Sequence, residues 1–507
     1  MGYTLMPVLA VVVLLAVAGG AGASGPGAGG GPIRVGKERQ LFVDDYIVES
    51  MVGVRRTVHQ WQKHPANPVL RAETPWEGGG AYALAYGGVI YDEDERIFKM
   101  WYWAPHDGCE AMLYATSRDG VAWERPHLGL FEFQGSRRNN ICMLSESGDM
   151  ETYGAFKDPD EADPARRYKA LFWERVAPGA RGEGDPPQPA HRSQPAHRSQ
   201  QLAGVWTATS PDGIHWTKSR QPIVPHPPAG DTVGFLDGRV EGGYIGFVKV
   251  HTERGRSRAI IESPDFVSWG EPRLIFTTDE EDDQPCDVYN NTAFRYEGLY
   301  LGWLQIYYHH EDPYRSRLEL ELIYSRDGRE WHRMPGRETV LPVGPDGSWD
   351  RTNQSAASGR PIPVGDLLYM YYGGRTYYHP PYRGGETRCN IGLATLRRDG
   401  FVSLDASPLS GTLTTRRLLL DGSALFVNCV SNWGHLRVEV IDDDGRALPG
   451  FGADDCDDVV ADGVRAPVSW RGKSDTGAPA AARRGARSPV RLRFRLENAR
   501  LYSFWVE

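Results

Sequence analysis

The sequence predicts an all-β protein, a five-bladed β-propeller followed by a C-terminal β-sandwich. Two observations predict the propeller: a short turn motif occurs five times, and runs rich in aromatic and β-branched residues precede its copies. A third observation predicts the sandwich, because segments beyond about residue 400 alternate apolar and polar residues between turns.

The turn motif has the form S-x-D-G-x-x-W. Its copies read ATSRDGVAWER from Ala115, ATSPDGIHWTK from Ala208, IESPDFVSWGE from Ile261, IYSRDGREWHR from Ile323 and, in decayed form, ATLRRDGFVSL from Ala394. The turn aspartates lie 93, 53, 62 and 72 residues apart, a spacing typical of propeller blades in a β-rich chain. Asp-Gly supplies a tight turn, and the Trp is expected to cover the junction between adjacent blades. We therefore interpret the motif residues as structural.

The same patterns divide the chain into segments. We predict a signal peptide at 1–23, an N-terminal lead-in at 24–54, the propeller at 55–402 with a disordered insertion at 177–201, and the β-sandwich at 403–507. The leader ends in an Ala-x-Ala-like site, and its apolar run of about 13 residues is short for a membrane span of roughly 20. We therefore expect a secreted or periplasmic protein without a membrane span in the mature chain.

Charge and cysteine content exclude some classes of function. A formal net charge of −9 gives no electrostatic reason to expect nucleic acid as a partner. The six cysteines contain no Cys-x-x-Cys pair, so a zinc site of that kind is not indicated, and we predict no metal and no cofactor. In an exported protein, Cys429 and Cys456 are the pair favoured for a disulfide.

Acidic residues near the start of each blade's first strand are the candidates for catalysis. A propeller builds its site where these strands converge on the central channel, and glycoside hydrolysis needs two carboxyl groups with separated pKa values. The candidates are Glu77, Asp158, Asp231 and Asp287. Each also has a structural interpretation, as a turn or loop residue.

Four further residues are candidates for binding a carbohydrate substrate. Trp76 and Tyr289 lie in predicted entry loops, where an aromatic ring can stack on a sugar face. His251 and Arg375 follow predicted strands and could bind hydroxyl or carboxylate groups. Trp101 and Trp103 lie within a predicted strand, and we expect them to pack in the core.

Several features resemble the five-bladed propellers of glycoside hydrolase families 32 and 43. These are NPVL at Asn67, AFKDPD at Asp158, the SPDGIHW turn and the predicted sandwich. The resemblance covers about residues 40 to 507 as architecture, but only short pieces as motif. It implies a transition-state-stabilising role for Asp158, with Lys157 where the families have Arg. Their blade-one W-x-N-D-P-N-G stretch and blade-three E-C motif are absent, which argues against fructose-type substrates.

The residues and the resemblance together indicate an exported glycosidase acting on a poly- or oligosaccharide through acids in the propeller channel. Two alternatives remain open. One is a non-catalytic carbohydrate-binding propeller, and the other is a glycoside phosphorylase on the same fold, which would need a basic phosphate site.

Overall fold

The computed structural model describes residues 31–106, 109–145, 150–176, 202–282, 284–312, 315–376, 388–422, 424–473 and 489–507. These residues form 35 β-strands and one 3-10 turn (Pro164–Arg166), so the all-β prediction is confirmed. In this described part of the chain, no helix is long and apolar enough to cross a membrane. The predicted leader (1–23) and insertion (177–201) lie outside the described residues.

Five short strands open the described chain. They are β1 (Ile33–Val35), β2 (Gln40–Leu41), β3 (Val48–Val52), β4 (Val54–Val58) and β5 (Gln62–Lys63).

Five antiparallel meander units follow. Unit one contains β6 (Leu84–Asp92), β7 (Ile97–His106), β8 (Cys109–Ser117) and β9 (Ile141–Leu144). Unit two contains β10 (Met150–Lys157), β11 (Tyr168–Val176), β12 (Leu202–Ser210), β13 (Thr217–Lys218) and β14 (Val224–Pro225). Unit three contains β15 (Val233–Asp237), β16 (Tyr244–Thr252), β17 (Gly255–Ser263) and β18 (Arg273–Phe276). Unit four contains β19 (Cys286–Tyr296), β20 (Leu299–Tyr308), β21 (Arg317–Ser325), β22 (His332–Arg333) and β23 (Thr339–Leu341). Unit five contains β24 (Asn353–Ala356), β25 (Ile362–Val364), β26 (Leu367–Arg375) and β27 (Cys389–Arg397), and β5 pairs with β27 at its edge.

Neighbouring units adjoin one another in chain order, mostly through their first strands. β6 contacts β10, β10 contacts β15, β15 pairs in parallel with β19, β21 of unit four pairs with β24, and β24 contacts β6 again. Glycines permit this close approach: a Cβ at Gly154 would overlap the Phe235 ring, and one at Gly234 would overlap the Asn291 carbonyl. The chain of contacts therefore returns from unit five to unit one.

The turn motif has one repeated geometry in units one to four. In unit two, Ser210 Oγ accepts hydrogen bonds from the backbone N–H groups of Asp212 (3.3 Å) and Gly213 (2.9 Å). Gly213 has φ +78°, and Phe266 takes the same position in unit three with φ +64°. An aromatic side chain of the preceding unit closes the turn, since Trp101 Nε1 donates to the Gly213 carbonyl at 2.6 Å. The motif thus joins neighbouring units.

The remaining strands are β28 (Val402–Ala406), β29 (Gly411–Thr415), β30 (Leu418–Leu420), β31 (Leu425–Val430), β32 (His435–Ile441), β33 (Asp462–Pro467), β34 (Arg491–Glu497) and β35 (Ala499–Val506). β30 forms a small two-stranded sheet with β1, and the others join β2, β3 and β4 in two larger sheets. The six-stranded sheet has the order β33-β31-β35-β28-β4, with β2 beside β35, and the four-stranded sheet has the order β3-β29-β34-β32. The two sheets share one hydrophobic core. The segment predicted as a lead-in therefore contributes strands to both sheets.

The expected disulfide does not form. Cys429 and Cys456 are both free thiols, and each has its own partner. Cys429 Sγ lies 3.7 Å from Ser431 Oγ, whereas Cys456 Sγ accepts a hydrogen bond from the Val438 N–H at 3.2 Å. Both side chains are buried in the shared core of the two sheets.

Candidate functional site

One cluster of polar side chains contains one residue from each of the five units. Tyr86, Glu151 and Tyr289 lie in the early part of β6, β10 and β19. Asp231 lies two residues before β15, and Arg375 ends β26. These groups act on one another electrostatically: Asp231 and Arg375 influence Glu151, and Arg375 and Glu151 influence both tyrosines. The five units therefore bring two carboxyl groups, two phenols and a guanidinium together, from the starts of three first strands, the segment before β15 and the end of β26.

Glu151 is the carboxyl group with the strongest perturbation in this cluster. Burial raises the pKa of Glu151 well above its usual range, and the negative charges of Asp231 and Glu110 raise it further, against the opposing charges of Arg375 and Lys249. The backbone N–H of Met150 donates to Glu110 Oε2 at 2.9 Å, which fixes the beginning of β10. Glu151 therefore holds its proton at pH values where an ordinary glutamate has lost it.

Asp231 has the opposite protonation behaviour. Burial would raise the pKa of Asp231, but its ion pair with Lys249 and the nearby Arg256 charge outweigh burial and lower it. The strands enforce the pair, because Gly230 N–H donates to the Lys249 carbonyl at 2.8 Å and Lys249 N–H to the Thr232 carbonyl at 3.0 Å. The pKa values of the two carboxyl groups are thus shifted in opposite directions, as they are in pairs that divide acid and base roles.

Cationic groups surround the two acids. Arg258 is completely buried and donates to Asn291 Oδ1 at 2.8 Å and to the Thr232 carbonyl at 3.0 Å. Among the residues that the structure describes, its Nη2 has no hydrogen-bond partner. The Arg256 guanidinium lies 5.2 Å from the centroid of the Tyr289 ring, and that of Arg375 lies 5.8 Å from that of Tyr86. These contacts place positive charge beside both tyrosines.

Asp158 does not belong to this cluster. It follows the last residue of β10, seven residues beyond Glu151, a distance of roughly 23 Å along an extended strand. Its carboxylate is buried and accepts hydrogen bonds from Tyr244 (2.6 Å) and Arg239 (3.1 Å), with Lys169 Nζ at 3.6 Å. Asp158 therefore joins unit two to unit three.

Glu77 and Trp76 are held by their own loop. Glu77 is completely buried, and its carboxylate accepts hydrogen bonds from Tyr102 (2.7 Å), Arg125 (2.8 Å) and the Thr74 N–H (3.0 Å). Trp76 Nε1 donates to the Asn140 side chain at 2.7 Å, and the Trp76 ring packs edge-on against Phe133. Both side chains therefore make structural contacts within the loop before β6 and unit one.

Asp287 and His251 lie beside the cluster. Asp287 accepts a hydrogen bond from the Arg256 N–H at 3.0 Å, and its Oδ2 lies 3.0 Å from His309 Nε2. Partial burial lowers the pKa of His251, as do the Lys249 and Arg256 charges, against Asp231 and Asp287. Of the residues predicted to bind or react, Asp231, Tyr289 and Arg375 are thus the ones the fold brings into one cluster.

Sequence reasoning missed Glu151, Lys249 and Tyr86. A signal for Glu151 was present: ETYG (151–154) and DTVG (231–234) place an acid three residues before the glycine at which the first strands approach each other. Aligning the units on that glycine, rather than on the Asp-Pro of AFKDPD, selects Glu151. Lys249 lies in the second strand of its unit, and only the strand pairing places it beside Asp231.

Comparison with known proteins finds similarity at the level of structure. No family model and no curated protein matches the chain. An N-acetylgalactosamine deacetylase from F. plautii, solved with blood group B trisaccharide, matches with TM-score 0.43 and 15% identity over 69% of this chain and 97% of that chain. A glycosyl hydrolase from Bacteroides ovatus matches with TM-score 0.43 and 13% identity (67% and 94%), and a β-1,2-mannobiose phosphorylase from Listeria innocua with 0.42 and 13% (66% and 96%). Similarity at this level carries no functional conclusion, so function must be inferred from this chain's own residues.

Proposed function

We propose that the chain is an exported glycoside hydrolase whose reaction centre is the cluster around Glu151 and Asp231. The observation that supports this proposal is the opposite perturbation of two neighbouring carboxyl groups, one toward the protonated and one toward the ionised form. Export rests on the predicted leader at 1–23.

The proposed architecture is a five-bladed β-propeller with a β-sandwich after it. Each meander unit is one blade, and the pairing of β5 with β27 closes the ring between unit five and the N-terminal part of the chain. In such a ring the first strands line the central channel, and residues at one end of them meet. In the proposed ring, the cluster lies at that end of the channel.

In the proposed reaction, protonated Glu151 donates its proton to the leaving glycosidic oxygen as the bond to the anomeric carbon breaks. A water molecule then adds its oxygen to the anomeric carbon and returns a proton to the Glu151 carboxylate. Ionised Asp231 faces the positive charge that develops on the sugar ring and stabilises it, with Lys249 holding the carboxylate in position. Arg375 beside Tyr86, together with Tyr289, offers hydrogen-bond donors and ring faces to the sugar. The family resemblance implied that Asp158 stabilises the transition state, and the proposal assigns that role to Asp231 instead.

The test is a screen of soluble polysaccharides followed by two variants. Glu151→Gln and Asp231→Asn keep the side-chain shape, and each is expected to lower turnover by on the order of 10² or more. The exposed Glu330→Gln serves as the control and should cleave at the wild-type rate. Wild-type turnover in both cluster variants would refute the assignment.

A phosphorylase is the second candidate, favoured by the cations of the cluster. Lys249, Arg256, Arg258 and Arg375 provide the basic environment that attack by inorganic phosphate requires. Product analysis separates the two activities, because a hydrolase releases reducing sugar without phosphate, whereas a phosphorylase releases sugar phosphate only when phosphate is present. A chain that binds a glycan and cleaves it under neither condition is a carbohydrate-binding protein.

A further inference from the structure

A second candidate binding site lies at one end of the two C-terminal sheets. Four connections cross there between the six-stranded and the four-stranded sheet: β3 to β4, β28 to β29, β31 to β32, and β34 to β35. They enclose an open cleft of about 790 Å³, which lies within the range of roughly 300–1,000 Å³ typical of small-molecule sites. Loops gathered at one end of a two-sheet unit are a common place for a binding surface.

The floor of the cleft is one row of residues across five strands. Strand register places Arg55 opposite Asp405, Asp405 opposite Arg500, Arg500 opposite Val430 and Val430 opposite Asp462. All five line the cleft. Because side chains alternate between sheet faces, the next row packs into the shared core, and this row faces outward. Two carboxylates and two guanidiniums give the floor a balanced charge.

The wall of the cleft carries an exposed tryptophan. Trp433 lies in the connection 431–434 between β31 and β32, and 83% of it is exposed to solvent. The backbone of this turn is anchored, since Asn498 Nδ2 donates to the Trp433 carbonyl at 2.8 Å and the Gly434 N–H donates to the Ser431 carbonyl at 3.1 Å. Asn432 and Asn498 add amide groups to the same wall. An exposed indole on this anchored turn offers a flat apolar face to a ligand.

We propose that this cleft binds a neutral oligosaccharide without cleaving it. A sugar ring stacks its C–H face on an aromatic ring while its hydroxyls need both donors and acceptors, and the cleft provides both beside Trp433. Balanced charge favours a neutral over an anionic glycan. The carboxylates are not poised for acid–base chemistry, because Asp462 pairs with Arg397 at 2.6 Å and Asp405 lies 3.6 Å from Arg500. The site stands apart from the proposed reaction centre and does not depend on it.

Affinity electrophoresis of the full chain in gels containing mannan, xylan or mixed-linkage β-glucan tests the proposal. Trp433→Ala is expected to weaken retention at least tenfold, and Trp433→Phe to restore part of it. Leu409→Ala is the matched control: Leu409 is 81% exposed in a neighbouring connection but does not line the cleft. Each of these side chains is exposed, so the variants should fold.

Three outcomes would overturn the proposal: no retention of the wild type in any gel, equal retention of Trp433→Ala and wild type, or an equal loss in Leu409→Ala. The last would identify a general apolar patch. Glu151→Gln separates the two sites, since it should lose turnover but remain retained. Retention through Trp433 by a chain that cleaves nothing would refute the proposed function and support this site.

Discussion

Tyr244 Oη donates a 2.6 Å hydrogen bond to Asp158 Oδ2 across the boundary between units two and three. One unit earlier, Tyr168 Oη donates to Asp92 Oδ2 at the same distance across the boundary between units one and two. The two aspartates occupy equivalent places, because each lies at the end of the first strand of its unit.

A lysine of the unit's own second strand completes each arrangement. Lys99 Nζ lies 2.9 Å from Asp92 Oδ2, and Lys169 Nζ lies 3.6 Å from Asp158 Oδ2. The repetition of an acid, a lysine and a tyrosine at successive boundaries is what a structural role predicts. A residue devoted to chemistry would be expected in a single unit.

Asp158→Asn and Asp92→Asn should therefore have similar effects. Each removes one negative partner of a buried lysine, but Lys99 keeps Glu95 at 2.6 Å and Lys169 keeps Glu161 at 2.7 Å. The loss should therefore be smaller than the roughly 3–5 kcal/mol of a buried pair that leaves its charge uncompensated. Urea unfolding at pH 7 measures the loss, and the folded fraction of Asp158→Asn should keep the turnover of the wild type. An Asp158→Asn protein of normal stability with turnover reduced a hundredfold would instead give Asp158 the catalytic role implied by its Asp-Pro motif.

The pH dependence of cleavage should follow the two carboxyl groups of the cluster. Glu151 acts only while protonated, so kcat/KM should fall as pH rises through its elevated pKa. Asp231 acts only while ionised, so kcat/KM should also fall at low pH. Because the pKa of Asp231 is lowered, this fall should occur below the usual pKa of an aspartate. The expected profile is a broad bell, and a rate that rises steadily into the alkaline range would contradict it.

Arg375→Met should move the alkaline limb of that profile. The positive charge of Arg375 lowers the pKa of Glu151, so removing it raises that pKa and extends activity to higher pH. Profiles of kcat/KM for wild type and Arg375→Met measure the displacement, whatever the effect on KM. The exposed Arg446→Met, which lies on a turn of the C-terminal sheets, is the control. A limb displaced toward lower pH would contradict the proximity of the two charges.

Glu151→Gln should make the protein more stable at neutral pH while removing its activity. Because the pKa of Glu151 is raised in the folded state, the folded state binds more protons than the unfolded state between the two pKa values, and stability falls as pH rises. Glutamine stays neutral at every pH, so the free energy of unfolding of Glu151→Gln lacks this decrease with rising pH. Thermal unfolding at pH 7–8 and at pH 4 measures the difference in Tm between Glu151→Gln and wild type. The gain should be present at neutral pH and largely lost at pH 4, where the Glu151 carboxyl group is mostly protonated in the folded and the unfolded state alike. An equal gain at both pH values would point to packing.

The repeated turns and strands were predictable because they are local. Ser210, Asp212 and Gly213 interact within four residues, so their spacing in the sequence already specifies the turn. Asp231, Tyr289 and Arg375 could be selected because each lies close to one end of a strand that the pattern predicts.

The rest of the site depends on pairings between distant segments. Lys249 lies beside Asp231 only through the pairing of β16 with β15. Glu151 lies near Arg375 only because the fold brings the start of β10 toward the end of β26. Asp158 was misleading for a physical reason: an aspartate before proline has the same sequence signature whether its carboxylate lines a channel or binds Lys169. The strands β2, β3 and β4 were likewise not assigned to the C-terminal sheets, because their partners lie more than 300 residues away.

Phe266 offers a test of two opposing effects at one position. It replaces the glycine of the turn motif at φ +64°, a conformation that disfavours an L side chain by roughly 1–2 kcal/mol. Its ring is 2% exposed and packs against Tyr244 (5.1 Å between centroids), Trp269 (5.5 Å) and Phe156 (6.2 Å). Removing a buried phenylalanine ring costs about 3–5 kcal/mol, which is more than the backbone strain that a glycine would remove.

Phe266→Gly should thus be less stable than wild type by about 1–4 kcal/mol. Phe266→Ala loses the ring and keeps the strain, so it should be less stable still. Urea unfolding of the three proteins gives the order directly. A Phe266→Gly protein more stable than wild type would mean that backbone strain, not the aromatic cluster, dominates at this turn.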